Sequence, residues 1–153
     1  MSLSPTDLLL ARSELSDLVC NLNRHYELHE YAAMAALYTE DAHYANWRGD
    51  VVGRAAILRL MQDRAPDRLV RHVLSNIVID VESATRARGL CYVTAFLNPH
   101  GHPATRAVQQ DGPPAIAEYH FRFRRVDGRW LVAEKRTMEI FAPQFLASGG
   151  PNH

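Results

Sequence analysis

The pattern of apolar and polar positions divides the chain into a helical N-terminal part and a C-terminal part made of long strands. Apolar residues recur at helical spacing from Leu8 to Tyr26. Ser4 before them is a good cap, and Pro5 is well placed in a first helical turn. We therefore expect a first helix that runs to about His29.

Two shorter helices and several strands should follow this helix. One helix begins near Glu30 and ends at Thr39 to Asp41, and another runs from Arg54 to Arg64 before Pro66 stops it. The alternation of apolar and polar residues predicts strands at 42–47, 51–52, 69–82, 86–97, 115–126 and 129–142.

The pair Asp127-Gly128 is typical of a two-residue hairpin turn, and the turn fixes a register. In that register Tyr119 faces Arg136, so both lie on the apolar face of the hairpin. Lys135 then falls on the solvated face. A slip of one residue would reverse this assignment, because side chains alternate along a strand.

The strand at 69–82 carries apolar residues on both of its faces, which is typical of a strand covered on both sides. His72 and Asn76 lie among these apolar neighbours. A histidine there needs a hydrogen-bond partner, and it is the side chain that is most easily adjusted for proton transfer near neutral pH. A purely structural histidine is the alternative interpretation.

Composition narrows the possible functions further. The 153 residues carry no net charge, which gives no electrostatic reason to expect nucleic acid or an anionic membrane as partner. No apolar run has the length of a membrane span, and the N-terminus does not resemble a secretory signal, so we expect a cytoplasmic protein. Cys20 and Cys91 lie in apolar contexts and are expected to be buried free thiols.

Residues 1–153 are expected to form one domain with a long loop at 98–114 and a mobile tail at 143–153. His100 and His102 lie in this loop, either at the mouth of a pocket or simply in solvent. His25 and His29 have a spacing that can bind a metal on one face of a helix, but no third ligand is evident, so no metal site is predicted.

Several segments resemble the SnoaL-like proteins of the nuclear-transport-factor-2-like (NTF2-like) superfamily. The longest runs from Tyr26 to Ala42, and shorter ones are Gly53 to Ile57, Arg71 to Asn76 and Asp127 to Trp130. The resemblance implies an α+β fold, a cone-shaped α+β barrel in which three N-terminal helices pack on a curved, mostly antiparallel sheet. It also implies a pocket at the open end of the cone.

The resemblance is to the branch that contains scytalone dehydratase and hexachlorocyclohexane dehydrochlorinase, and it implies a catalytic pair. In these enzymes a histidine at the position of His72 pairs with an aspartate near the end of the first helix. The matching residue here is Glu27, which is one methylene longer. Further candidates for contact with substrate are Tyr26, Tyr44, Trp47, Asn76, Tyr119 and Arg136.

Two functions of different classes are compatible with this reading. The first is a small cofactor-independent enzyme of the lyase or isomerase type (a dehydratase, an isomerase or a cyclase of the polyketide-cyclase kind). It would act on an apolar ring-type small molecule through His72, and a homodimer is expected. The second is a non-catalytic ligand-binding protein or a subunit that resembles the small (beta) subunits of ring-hydroxylating oxygenases, which would favour a trimer. The sequence does not identify the substrate.

Overall fold

The structure, a computed structural model, describes residues 3–46, 49–110 and 112–141. These ranges contain helices and strands that alternate only in the first half of the chain. In order, the elements are α1 (Pro5–Glu27), α2 (Tyr31–Ala35), β1 (Tyr38–Asn46), β2 (Gly49–Val52), α3 (Arg54–Gln62), β3 (Leu69–Val81), β4 (Arg86–Asn98), β5 (Ala115–Val126) and β6 (Arg129–Phe141).

Helix α1 begins where the sequence predicts. The Ser4 side chain accepts a hydrogen bond from the Asp7 N–H at 3.1 Å, and the Asp7 carboxylate accepts one from the Ser4 N–H at 3.2 Å. This reciprocal capping box satisfies two N–H groups that the helix itself leaves free. The buried face of α1 includes Leu15, Val19 and Leu22, and it supplies one side of the core.

Helix α2 is shorter than predicted. It ends at Ala35, and residues 39–41, expected to stop the helix, belong to β1. The reason is sheet pairing: Tyr38 pairs with Val132 of β6, whose N–H donates to the Leu37 carbonyl at 2.9 Å. This partnership outweighs the helical spacing of the apolar residues. Helix α3 ends two residues before the predicted Arg64.

The six strands form one sheet in the order β2-β1-β6-β5-β4-β3, and all pairs are antiparallel except β1 with β6. Helix α1 contacts β3 and β6; we call the side of the sheet that faces α1 its inner face and the opposite side its outer face. The core lies between α1 and the inner face. The predicted α+β fold, with helices on a curved and mostly antiparallel sheet, is confirmed.

Strand β3 contains a bulge that explains its two apolar faces. The pairing with β4 shifts between Ser75 and Val78, and Asn76 adopts a left-handed backbone with φ of 50°. The extra residue reverses the alternation, since side chains on a strand point to opposite faces in turn. Val73 before the bulge and Val78 after it are therefore 56% and 57% exposed. Within a single chain, therefore, β3 is covered on its inner face only, and the predicted cover on the outer face is not provided.

A second bulge, in β6, shifts the register of the β5–β6 hairpin away from the predicted one. The turn is as predicted, with positive φ at Asp127 and Gly128. The pairing then shifts between Arg122–Glu134 and Phe123–Val132, which leaves Ala133 as the extra residue of β6. From Glu134 to Glu139, β6 residues therefore point to the face opposite the predicted one, until a further shift between Glu139 and Phe141.

The consequence is an exchange of two basic residues between the faces. Tyr119 pairs with Thr137 rather than with Arg136, and Arg136 pairs with His120. Arg136 is exposed on the outer face, whereas Lys135 is only 6% exposed and points inward. The predicted placement of both residues is wrong, because a bulge depends on the bending of the whole sheet and has no reliable local signature.

Both cysteines are free, but only Cys91 is buried; Cys20 is exposed, contrary to expectation, because it lies next to the buried stripe of α1 and not within it. None of the described helices has the length and hydropathy to cross a lipid bilayer. The predicted tail at 143–153 lies outside the described residues.

Candidate active site

The end of α1 meets the first half of β3 at a single carboxylate. Glu27 is the last residue of α1, and His72 lies on β3 before the bulge, pointing inward. One Glu27 oxygen, Oε1, lies 2.5 Å from the His72 backbone nitrogen and 3.1 Å from Nδ1 of its ring. The side chains are 15% and 7% exposed, respectively. The two residues predicted as a pair are therefore in direct contact.

The contact determines the protonation of the His72 ring. A carboxylate only accepts hydrogen bonds, so the ring proton lies on Nδ1 and Nε2 is left as the free acceptor. Burial lowers the pKa of His72 below its usual value, and the hydrogen bond and charge of Glu27 oppose this shift. His72 is thus a neutral imidazole at pH 7, which is the form that accepts a proton.

A cavity of about 140 Å³ opens beside His72 on the inner face of the sheet. We call it the main cavity. Three of the predicted contact residues, Tyr26, Tyr44 and Tyr119, line it together with His72. Its other walls are mostly small or apolar: Asn46, Arg68, Val70, Val93, Ala95, Leu97, Pro113, Ala115, Ala117, Thr137 and Glu139.

The rings around His72 are arranged at an angle to it. The Tyr26 and Tyr119 ring centroids lie 5.5 Å and 6.2 Å from that of His72, with both rings tilted by more than 50°. Tyr26 is itself covered on one side by the Arg64 guanidinium, 3.9 Å from its ring centroid. These contacts fix the orientation of the aromatic walls beside His72.

Lys135 is the functional candidate that sequence reasoning missed. It pairs with Phe121 on the inner face, and its Nζ lies 3.5 Å from the centroid of the Tyr119 ring and 5.2 Å from that of Tyr44. Burial lowers its pKa to about 7. A signal for it was available, because Lys135 is the single lysine in a chain with sixteen arginines.

The structure does not bring every predicted residue to the cavity. Arg136 lies on the outer face, 3.5 Å from Glu134, for the reason of register given above. Asn76 is exposed at the β3 bulge and lines neither the main cavity nor the smaller one beside Lys135. Both are corrections to the predicted site. Trp47 lies outside the described residues.

The histidines near the loop at 98–114 have separate partners. His25 Nδ1 lies 2.6 Å from Glu30, and His29 Nε2 lies 2.9 Å from the Arg68 carbonyl oxygen. The His29 ring stacks on the His102 ring with 3.9 Å between centroids. In the described part of the chain no group of three or more His, Cys, Asp and Glu side chains is placed to hold a metal ion.

Solved structures with this fold are numerous, and three illustrate the likeness. A candidate scytalone dehydratase from Novosphingobium aromaticivorans has a TM-score of 0.74 at 20% identity, over 90% of this chain and 89% of that one. The hexachlorocyclohexane dehydrochlorinase LinA-type3 from Novosphingobium barchaimii has a TM-score of 0.74 at 20% identity, over 92% and 94%. An NTF2-like protein from Novosphingobium aromaticivorans has a TM-score of 0.70 at 20% identity, over 92% and 89%.

At these identities the structures establish a common fold and no more. No curated protein is significantly similar to the chain in sequence. The family model of the SnoaL-like domain, however, matches residues 7–136, which is most of the chain. The resemblance to SnoaL-like proteins predicted from the sequence is thereby confirmed, and the protein belongs to the SnoaL-like family.

Proposed function

We propose that this protein is a small cofactor-independent enzyme that uses His72 as a general base, positioned by Glu27. The observation that carries the proposal is the double contact of Glu27 Oε1 with His72, directly beside the main cavity. A base needs a fixed tautomer, a free ring nitrogen and a site for its substrate. The Glu27–His72 pair and the main cavity supply all three.

The proposed chemistry is proton removal from a carbon or oxygen of the bound molecule. Nε2 of His72 takes the proton, and the imidazolium that forms is stabilised by the Glu27 carboxylate on its other side. Because burial lowers the pKa of His72, the neutral base is available at and somewhat below pH 7. Proton transfer of this kind contributes about 10²–10⁴-fold to a reaction rate.

The walls of the main cavity favour a small apolar molecule with one or two polar groups. Alanine, valine and leucine side chains face the tyrosines across it, as is usual in ligand sites with a few oriented polar groups. Two proteins of similar fold are named as a dehydratase and a dehydrochlorinase. Elimination of water or halide from a ring compound is therefore the first reaction to test, and isomerisation or cyclisation the next.

The experiment follows proton removal directly. The protein is incubated in D₂O with a panel of ring ketones, scytalone and hexachlorocyclohexane, and deuterium incorporation and elimination are followed by NMR. We expect His72→Ala to slow the reaction of any active compound by about 10²–10⁴-fold while the fold persists. The chain offers a matched control in another histidine–carboxylate pair, His120 and Glu118, which are 2.9 Å apart and more exposed.

His120→Ala should leave the rate unchanged. Equal rates for wild type and His72→Ala, on a compound that the wild type converts, would contradict the proposed base. Saturable binding in the main cavity with neither exchange nor elimination by the wild type would favour the second function, a ligand-binding protein or subunit.

A further inference from the structure

The single lysine of this protein is buried, and none of the carboxylates that the structure describes lies within ion-pair distance of it. Lys135 is 6% exposed, and no described Asp or Glu forms an ion pair with its Nζ. Its neighbours are aromatic: Nζ lies 3.5 Å from the Tyr119 ring centroid. A buried ammonium without a counter-charge is costly, so a structural role alone does not account for it.

A lysine at this position can react in a way that an arginine cannot. All the other basic side chains except histidines are arginines, and a guanidinium stays charged at any pH that a protein meets. An amine in an apolar setting can lose its proton and become a nucleophile. Lys135 is the side chain of this protein that can provide a neutral primary amine.

The amine is also within reach of a bound molecule. Lys135 lines a small cavity of about 30 Å³, whose walls include Tyr26, Tyr44 and Tyr119. These three tyrosines are also walls of the main cavity beside His72. The small cavity thus adjoins the main one at these three side chains, and it has room for about one or two heavy atoms.

We propose that Lys135 is a carbonyl-binding amine, which reversibly forms an imine with the aldehyde or ketone group of a small apolar ligand in the main cavity. The ring or chain of the ligand would occupy the main cavity, and its carbonyl group would enter the small cavity. This activity goes beyond the proton transfer proposed for His72 and does not depend on it.

The reaction balances without an oxidant or reductant. The amine lone pair attacks the carbonyl carbon, a C–N bond forms as the C–O π bond breaks, and one proton moves from the nitrogen to the oxygen to give a neutral carbinolamine. The hydroxyl group then takes one proton from solvent and leaves as water, while the nitrogen lone pair forms the C=N bond of a protonated imine; hydrolysis reverses these steps. Water that enters the main cavity supplies and receives these protons, so the step does not need His72.

The surroundings of Lys135 suit both the neutral amine that reacts and the protonated imine that forms. Burial brings the pKa of Lys135 to about 7, so a large fraction is neutral near pH 7, against fewer than about one in a thousand for an ordinary lysine. A protonated imine carries the same charge as the ammonium that it replaces. The faces of Tyr119 and Tyr44 therefore stabilise the product cation as they do the free ammonium.

The test traps the imine and needs no knowledge of the natural ligand. The full-length protein is incubated at pH 7 with benzaldehyde and sodium cyanoborohydride, and benzylated peptides are quantified by mass spectrometry. With one lysine in the chain, the only other primary amine is that of the N-terminus, which peptide mapping separates. We expect Lys135 to be benzylated at least tenfold faster in the native protein than in protein unfolded by guanidinium at the same pH.

Two further measurements test whether benzaldehyde binds in the main cavity before it reacts with Lys135. Labelling of Lys135 should saturate with benzaldehyde concentration, and benzyl alcohol, which has the same ring and no carbonyl, should slow it by competition. Unchanged or slower labelling in the native protein, or labelling that is insensitive to benzyl alcohol, would overturn the proposal.

The His72→Ala variant separates this inference from the proposed function. Trapping that persists in His72→Ala, with proton exchange lost, supports both roles. Exchange by the wild type without trapping at Lys135 would overturn the imine alone. Trapping without any exchange by the wild type would overturn the general base alone.

Discussion

Glu27 Oε1 contacts His72 twice, at the backbone nitrogen and at ring Nδ1, and so joins the C-terminal end of α1 to β3. The backbone contact fixes the position of the carboxylate, and the ring contact fixes the tautomer of the base. Glutamate at this position is therefore long enough to do what the resemblance assigns to an aspartate. The pair is also largely shielded from solvent, with side-chain exposures of 15% for Glu27 and 7% for His72.

The pair predicts how the pKa of His72 responds to substitution of Glu27. Burial lowers this pKa, and Glu27 partly raises it again. We expect Glu27→Gln to lower the pKa of His72 further, because the negative charge is lost while burial remains. An NMR titration of the imidazole signals would measure the shift, and Glu118→Gln, beside His120, is the matched control.

Glu27→Asp is the more discriminating variant of this prediction. It keeps the charge but shortens the reach, so we expect only one of the two contacts to form at a time and the rate of proton exchange to be intermediate. A rate in Glu27→Gln equal to that of the wild type would contradict a catalytic role for the pair. An unchanged His72 pKa in Glu27→Gln would contradict the electrostatic argument.

Features of the protein that depend on neighbouring residues could be predicted from the sequence, whereas features that depend on the whole sheet could not. The Ser4 cap and the Asp127-Gly128 turn are local chemistry, and both were predicted correctly. The bulges at Asn76 and Ala133 arise from bending of the whole sheet, and they have no local signature beyond the tolerance of asparagine for a left-handed backbone.

The second bulge had the larger effect on the site. It placed Lys135 rather than Arg136 on the inner face, although the two are adjacent in sequence. Strand periodicity carries no information about which of two neighbours is buried once the register is uncertain. The presence of a single lysine in the chain was a compositional signal that pattern reasoning did not use.

Lys135 predicts an unusual dependence of stability on pH. Its pKa is about 7 in the folded protein against 10.5 for an unperturbed lysine, so between these values the unfolded state binds more protons. The free energy of unfolding should therefore gain a contribution that rises from pH 7 toward 10.5, and below pH 7 the full penalty of the buried charge remains. Denaturant unfolding at several pH values would measure the slope.

The variant Lys135→Met also tests whether the buried charge of Lys135 destabilises the folded protein. Methionine has a similar length without the charge, so we expect the free energy of unfolding at pH 7 to increase by on the order of 1–4 kcal/mol. The alkaline rise due to this residue should vanish. Arg136→Met, on the exposed neighbour, should change little, and destabilisation by Lys135→Met would contradict the assignment of an uncompensated buried charge.

The outer face of the sheet predicts self-association. Exposed apolar side chains on it include Val73, Val78, Tyr92, Phe96, Ile116 and Met138. A groove of about 520 Å³ next to them combines apolar walls with charges of both signs, among them Asp80 and Arg88. A second copy of the chain offers the same apolar and mixed-charge surface, so we expect a homodimer through this face.

Light scattering coupled to size exclusion would establish the state in solution. Val78→Glu should weaken the dimer, because it puts a charge among apolar contacts, whereas Leu10→Glu, at a similarly exposed position of α1, should not. A monomer at micromolar concentration would contradict the prediction, and a trimer would favour the subunit-like function.

The stacked rings of His29 and His102 hold the loop after β4 against the C-terminal end of α1. The rings are nearly parallel, with 9° between their planes, and the His102 N–H donates to the Asp67 carbonyl at 2.8 Å. Pro113, further along the same connection, is a wall of the main cavity. The stack thus holds a connection that, further along, contributes Pro113 to the main cavity.

Removing one ring should loosen the loop. A pair of stacked aromatic side chains contributes about 0.5–1.5 kcal/mol, so His102→Ala should raise amide exchange in residues 98–110 by about two- to tenfold. Hydrogen exchange read by mass spectrometry would measure this, with His120→Ala, on β5, as control. Exchange that is unchanged in His102→Ala would show that the Asp67 contacts hold the loop without the stack.

Lowering the pH should also raise amide exchange in this loop, as the substitution His102→Ala should. Burial lowers the pKa of His29, the hydrogen bond to the Arg68 carbonyl opposes this shift, and the charges of His102, Arg64 and Arg71 add to it. Since the folded pKa lies below the ordinary value of 6.5, the unfolded or undocked form binds more protons as the pH falls below 6.5, and the stack is lost as the pH passes through the folded value. Exchange in residues 98–110, corrected for the intrinsic pH dependence of amides, should therefore rise in this window. In His29→Phe, which keeps a ring and removes the titrating group, the rise should be much smaller; an equal rise would assign the effect to another group.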